Sequence, residues 1–225
     1  MKKEWYAVLT GDLIGSSRLT GQQSADAMQW LREAAGKFAN LYPHCVVGEL
    51  DTFRHDSWQM LISNPALSFR VAVYLRTALK RQSDTSTRYD SRVSIGVGEI
   101  EMISESRISD SRGPAFTVSG KNLDSMGSSE MSFAVIPEKH SAFMMVGIAV
   151  TPLLDCVIRE WTPAEARAVH GALERLTQED IARSSPPNPQ TNKPVTRQAI
   201  ADSLDRACWT RVEKSLTFIE TQSKL

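Results

Sequence analysis

Trp5–Ser17 reads WYAVLTGDLIGSS, and His55–Gln59 reads HDSWQ. The first stretch opens as an apolar run of aromatic and β-branched residues over Trp5–Thr10, which predicts a buried strand. It reaches Gly11-Asp12 and passes into Gly- and Ser-rich sequence, predicted as loop from Gly11 to Gly21. The second stretch sets another aspartate, Asp56, in a hairpin context 44 residues after Asp12. Two carboxylates at the ends of neighbouring strands, beside a small-residue loop, are a donor set that Mg2+ or Mn2+ uses when phosphate oxygens complete its shell. The plainer alternatives are a cap at Asp12 and a turn residue at Asp56.

The rest of the chain sets the bounds. Its 225 residues suffice for one large domain or one domain and a small module, and an apolar content of 41% supports a buried core. Lys and Arg number 26 against 26 Asp and Glu, so the chain as a whole is no polycation, and any nucleic-acid role must come from a local basic face. Cys45, Cys156 and Cys208 are far apart and odd in number, which argues against a disulfide framework or a zinc site. Phe143–Ile158 is the most apolar segment, but it is short for a membrane span and contains Pro152 and Asp155. It reads as a buried element, with cytoplasmic residence and no membrane contact expected.

Periodicity orders the elements. Gln23–Asn40 is a predicted helix capped by Ser24, with Met28, Leu31, Ala35 and Phe38 inward. His44–Phe53 and Ser57–Ile62 are a predicted hairpin, and Pro65–Lys80 a helix with Leu67, Val71, Tyr74, Leu75 and Ala78 inside. Ser91–Ile103 alternates as a strand, in which Gly96 and Gly98 signal close approach of a backbone or a ligand. A short helix over Gly113–Met126 and a strand over Ser132–Pro137 follow. The order strand, helix, strand, strand, helix, strand predicts an α+β, ferredoxin-like domain with helices on one face, over residues 1–140. Residues 141–161 connect it to a small all-α domain at 162–225, whose helices start at Thr162-Pro163, Thr177 and Thr196.

At this point the motifs resemble a known family. AVLTGDLIGSSRL is similar to the first metal motif of class III nucleotidyl cyclases, and HDSWQ resembles their second, normally Gly-Asp-Ser-Phe. RVSIGVGEIE resembles the next strand of that palm, and GPAFTVSGKNL the helix after it. The whole chain is most similar to the SatD-like bacterial family, which joins such a domain to a helix-turn-helix. The resemblance implies that Asp12 and Asp56, with the Leu13 carbonyl, hold Mg2+ or Mn2+. Paired metals about 3.5–4 Å apart would activate a hydroxyl and steady the leaving pyrophosphate. The amides of Ile14, Gly15, Ser16 and Ser17 would cradle phosphate, and Asp110 would select the base.

This chain departs from the cyclase pattern in four places. Thr117 stands where cyclases place a transition-state Asn, and Lys121 where they place an Arg. Lys keeps the charge but lacks the bidentate fork. Thr52 replaces a base-contacting Lys. His55 replaces the hairpin Gly, which costs about 1 kcal/mol if φ is positive there. Losing one preorganised donor costs about 10²–10³ in rate, so cyclisation through Thr117 and Lys121 should be weak while binding survives.

In the C-terminal part, LTQEDIARS and VTRQAIADSLDRACW resemble a helix-turn-helix. Thr196, Arg197, Gln198, Ser203 and Arg206 would face outward, Arg and Gln reaching base edges, with Lys193 on phosphate. Asp202 and Asp205 on the same helix, and the long linker SSPPNPQTNKP, leave a protein-contact or packing role open. Trp209, Val212, Leu216 and Ile219 form one stripe, either core or a dimer seam.

Three functions remain in play. The first is a DNA-binding transcriptional regulator with a degenerate, nucleotide-sensing palm. The second is an active metal-dependent nucleotidyl cyclase or nucleotidyl-transfer enzyme acting on ATP or GTP. The third is a dimeric scaffold. The expected partners are a nucleoside triphosphate or nucleotide, double-stranded DNA and, because cyclase palms pair, a second copy of the chain.

Overall fold

The computed structural model describes residues 5–137, 141–188 and 191–222. The protein is α+β: a mixed five-stranded sheet with helices, followed by an all-helical region. The strands are β1 (Trp5–Leu13), β2 (Val46–Phe53), β3 (Ser57–Ile62), β4 (Ser91–Glu99) and β5 (Met131–Ile136), in the order β2-β3-β1-β4-β5. β1 is central and runs antiparallel to both β3 and β4; β2 and β3 form a hairpin, and β5 joins β4 in parallel. The helices are α1 (Gly21–Leu41), α2 (Ser68–Lys80), α3 (Pro114–Ser125), α4 (Ala142–Glu160), α5 (Pro163–Leu173), α6 (Gln178–Ser184), α7 (Arg197–Arg206) and α8 (Trp209–Thr221).

β1 does not stop at Thr10. Gly11 pairs with Trp58 and Val93, and Asp12 with Ser57 and Arg92, so Asp12 lies inside the strand and not in a loop after it. A strand paired on both sides carries two poor strand formers to its end. Gly11 is required there: a Cβ would sit 2.4 Å from the Trp58 ring. The buried Trp58 indole donates to Ser91 Oγ at 2.9 Å. Two further boundaries differ from expectation. Thr20, not Ser24, caps α1, accepting from the Gln23 amide in a reciprocal capping box. β4 ends at Glu99, and Met102 instead bridges to Arg112.

The helices cover both faces. Ala7, Leu9 and Leu13 of β1 share a core with α1 and α2, whereas Val8 packs with Ala115 and Phe116 of α3 on the other side. The expected helices on one face are therefore α1 and α2 alone, and α3 is the crossover that delivers the parallel β5. Gly96 and Gly98 admit backbone, not a ligand: a Cβ on Gly96 would lie 2.5 Å from the Ala115 carbonyl, and one on Gly98 2.5 Å from that of Ile136.

α2 is buried around its whole circumference. Its Arg76, fully enclosed, donates to Asp90 at 2.8 Å, to Asp155 at 3.2 Å and to Glu130. Asp155 belongs to α4, whose inner face packs on β5 while Met145, Ile148 and Leu153 stay exposed, so the apolar segment is only half buried. The main core continues through Val169 and Leu173 of α5 and Val212, Leu216 and Ile219 of α8, so the Trp209 stripe is core. Arg70 of α2 clamps α8 by donating to Glu220 at 2.6 Å and Glu213 at 2.9 Å. His170 of α5 stacks on Tyr74 at 4.4 Å between centroids, with Nδ1 3.0 Å from Thr77 Oγ1.

Replacing Arg76 by Met removes the buried guanidinium that Asp90, Glu130 and Asp155 share, which should cost about 3–5 kcal/mol in urea denaturation. A second expectation concerns acid. His170, 3.6 Å away, holds the Glu174 carboxyl down at about 2 against an ordinary 4.5, helped by the Tyr74 hydroxyl and Lys37. Its stabilising contribution is complete above pH 4.5 and is lost as the pH falls towards 2. Burial keeps the His170 pKa below 6.5, so stability also declines as the pH drops below that value. Glu174→Gln should flatten the limb below pH 4.5, read as the urea midpoint against pH.

Candidate functional site

The ends of β1 and β3 bring the two aspartates side by side. Asp12 faces Ser57 in register, and the Leu13 amide donates to the Asp56 carbonyl at 2.9 Å. Their carboxylates, however, have separate partners. Arg92 Nε donates to Asp12 Oδ1 at 2.8 Å and its Nη2 to Oδ2. Asp56 Oδ2 accepts from Ser16 Oγ at 2.7 Å, and Oδ1 from Ser57 Oγ at 3.2 Å.

Beside Asp12 lies a cavity of about 490 Å3, bounded by the β2–β3 hairpin, the 107–110 turn and α3. Its floor is a buried hydroxyl–amide chain. Gln59 Nε2 donates to Thr10 Oγ1 at 2.9 Å, and Ser119 Oγ lies 2.7 Å from the same atom and 3.1 Å from the Ser94 carbonyl. Phe53 and Leu123 supply apolar wall; Arg54 and Arg107 bring positive charge, Asp110 and Asp124 negative charge. Arg54, not His55, takes the left-handed backbone at the hairpin tip, with φ 57°. Arg107 is held in place by Asp51 at 3.2 Å. Burial would raise the Asp51 pKa, but the Ser109 hydroxyl and Arg107 outweigh it and hold the carboxyl below its usual range.

The sequence-derived candidates divide. Asp12 and Asp110 border the cavity. Asp56 stands one residue from it, linked through Ser57. Leu13, Ile14, Gly15, Ser16 and Ser17 do not border it. The Ile14 amide is committed to the Asp90 carbonyl at 2.9 Å, and Ser16–Arg18 is one 3-10 turn tied to Asp56 through the Ser16 hydroxyl. Thr117 and Lys121 are exposed on α3 outside the cavity lining, and the Thr117 hydroxyl turns back to the Gly113 carbonyl at 3.3 Å. Thr52 accepts from Arg32 at 2.8 Å.

The donor set does not fit Mg2+ or Mn2+ as arranged. Both oxygens of each aspartate are engaged, and among the described residues no group of three or more His, Cys, Asp or Glu is placed to hold a metal. Arg92 beside the cavity, and Phe53, Arg54, Gln59, Arg107, Leu123 and Asp124 in its lining, are site residues that sequence reading missed. The one available signal was Arg92, a charge on the face of β4 that also carries Gly96 and Gly98.

In the helical region Lys193, Thr196, Arg197 and Gln198 are exposed. Thr196 caps α7 by accepting from the Ala199 amide at 3.1 Å, and Gln198 donates to Asp202 at 2.7 Å. Arg206 is paired with Glu165 at 3.0 Å. Ser203 does not face out: it is buried and donates to the Ala199 carbonyl at 2.8 Å. Ala168, Ile181, Ala182 and Ile200 give α5, α6 and α7 a small core of their own.

No protein-family model matches this chain, and no curated protein matches it.

Thr10→Val removes the acceptor shared by Gln59 and Ser119 without changing side-chain shape. It should cost about 1–3 kcal/mol, read by urea denaturation, whereas a loss below 0.5 kcal/mol would mean the floor chain is not a structural unit.

Proposed function

We propose that the protein is a nucleotide-responsive DNA-binding regulator whose sheet domain is a catalytically weakened, cyclase-like palm. The observation that carries the reading is the cavity against Asp12 and Asp110, closed by the β2–β3 hairpin and α3. Its volume, about 490 Å3, falls within the range of small-molecule sites. Phe53 and Leu123 offer a base an apolar wall, Gln59, Asp110 and Asp124 offer hydrogen bonds to amino and hydroxyl groups, and Arg54 and Arg107 offer charge to phosphate. The order β2-β3-β1-β4, with α1 and α2 on one face, supports a ferredoxin-like palm. The motif resemblance to class III cyclases and the SatD-like family points the same way. Thr117 and Lys121 lie outside the cavity, which supports binding without efficient cyclisation.

The DNA-binding half of the reading rests on α5, α6 and α7. Three helices around Ala168, Ile181 and Ile200, with Arg197 and Gln198 exposed at the start of the third, support a helix-turn-helix whose second and third helices are separated by a long stretch of sequence. A nucleotide can alter DNA affinity only by preferring one arrangement of the two regions over another.

Calorimetry with ATP, GTP and their monophosphates, in EDTA, tests the first half. Saturable binding is expected, weakened at least tenfold by Gln59→Ala or Asp110→Ala. No heat with any of them removes the nucleotide reading. Release of pyrophosphate that Asp12→Ala abolishes would make the protein an enzyme instead. For the second half, gel retardation of duplex DNA should weaken steeply with salt and fall further in Arg197→Ala; retardation unchanged in that variant rules out α7 as the reading helix.

A further inference from the structure

Asp12 and Arg92 are opposed across the β1–β4 ladder. Directly opposed residues of an antiparallel pair point to one face, so backbone register delivers the guanidinium to the carboxylate on the side where the cavity lies. Nε and Nη2 each take one oxygen of Asp12, and this planar fork is the strongest pairing a carboxylate makes with a side chain. Asp56, the other expected ligand, has its two oxygens on Ser16 and Ser57. The hydrogen bonds that Arg92 donates to Asp12 outweigh its partial burial and, with the charges of Asp12, Asp124 and Asp56, raise its pKa above the ordinary value.

A divalent ion would need the same oxygens, in a near-octahedral shell. To reach Asp12 it must evict a bidentate arginine whose Cα is fixed in a central strand. We propose that Arg92 is the resident cation of the site. It occupies the position on the Asp12 oxygens that a divalent metal would take, and the cavity binds its ligand without one. With Asp12 paired to Arg92, the remaining charged lining is Arg54, Arg107 (itself paired with Asp51), Asp110 and Asp124. The inference rests on the cavity being the functional site, but its central measurement uses no nucleotide.

The measurement is electron paramagnetic resonance of free Mn2+ titrated with the full chain. The natural protein should leave Mn2+ free at millimolar concentrations. Arg92→Met should bind it at least tenfold more tightly, and Asp12→Asn added to that variant should abolish the gain. Mn2+ uptake by the natural protein that Asp12→Asn removes would overturn the proposal. So would an Arg92→Met protein with unchanged circular dichroism and no gain. If Arg92→Met does not fold, the natural protein and its Asp12→Asn variant decide alone: uptake lost in the variant overturns, and absence of uptake supports. Nucleotide binding that requires Mg2+ would sink the role of Arg92 and leave the cavity reading standing. The expected Mn2+ pattern without any nucleotide binding would do the reverse.

Discussion

Arg76 carries its charge where no water reaches it, and it stays there because three elements each bring it a carboxylate. Asp90 stands just before β4, Glu130 just before β5, and Asp155 in the middle of α4. A buried guanidinium with unmet hydrogen bonds is among the costliest things a core can hold, so the arrangement admits few alternatives. It fixes where both parallel strands begin and how α4 lies on them. Lys80, one turn on, donates to Asp90 at 3.3 Å and to the Arg159 carbonyl at 3.2 Å, extending the constraint to the end of α4. The candidate site hangs from the same point. The Asp90 carbonyl receives the Ile14 amide, and the next residue, Ser91, donates to the Asp12 carbonyl at 2.8 Å and accepts from Trp58.

Because α2 is buried all round, its other side is equally committed. Tyr74 and Thr77 hold His170 of α5, and Arg70 holds α8. The helical region is therefore packed onto the spine that positions Asp90, within the same continuous core as the sheet. Any rearrangement at the end of β1 meets α5 and α8 through packed side chains rather than across a flexible tether. Within the proposed reading, a ligand acts by favouring one seating of α5 against α2, and residues such as His170 are where two seatings would differ.

How much of this could be read from the chain depends on whether the deciding partners are local. The helices over α1, α2, α6 and α7 follow from 3.6-residue spacing, and α6 and α7 also from Thr at their starts, because a cap and its partner lie within one turn. The hairpin and the alternating β4 were legible for the same reason. Arg76 was not, since Asp90, Glu130 and Asp155 lie 14, 54 and 79 residues away and nothing beside it in α2 announces burial. The same blindness affected Asp12. Gly11-Asp12 has the composition of a turn, and only Trp58 on one side and Arg92 on the other keep it in the sheet. Motif reading supplied both aspartates, yet motifs carry no information about which cation faces them. Arg92 opens the RVSIGVGEIE stretch, but it sits 80 residues from Asp12, and the motif does not say what it faces.

Charge also constrains how the helical region would meet DNA. Between 163 and 222 eight basic residues stand against eight acidic ones, so no net field draws the region to a duplex. Several of the cations are already spent: Arg206 on Glu165, and Arg183 on Glu179 and Asp180. Lys193 and Arg197 remain exposed beside the start of α7. Each phosphate neutralised contributes about −0.9 to the logarithmic salt slope, and a protomer engaging only two or three would bind too weakly at physiological salt to act alone. A two-fold pair of protomers doubles that count and places two α7 helices on successive turns of the groove. In the proposed reading dimerisation is thus a requirement of the electrostatics, independent of the pairing that the palm resemblance implies. The protomer arrangement that a nucleotide selects would be the arrangement that sets the spacing between the two reading helices.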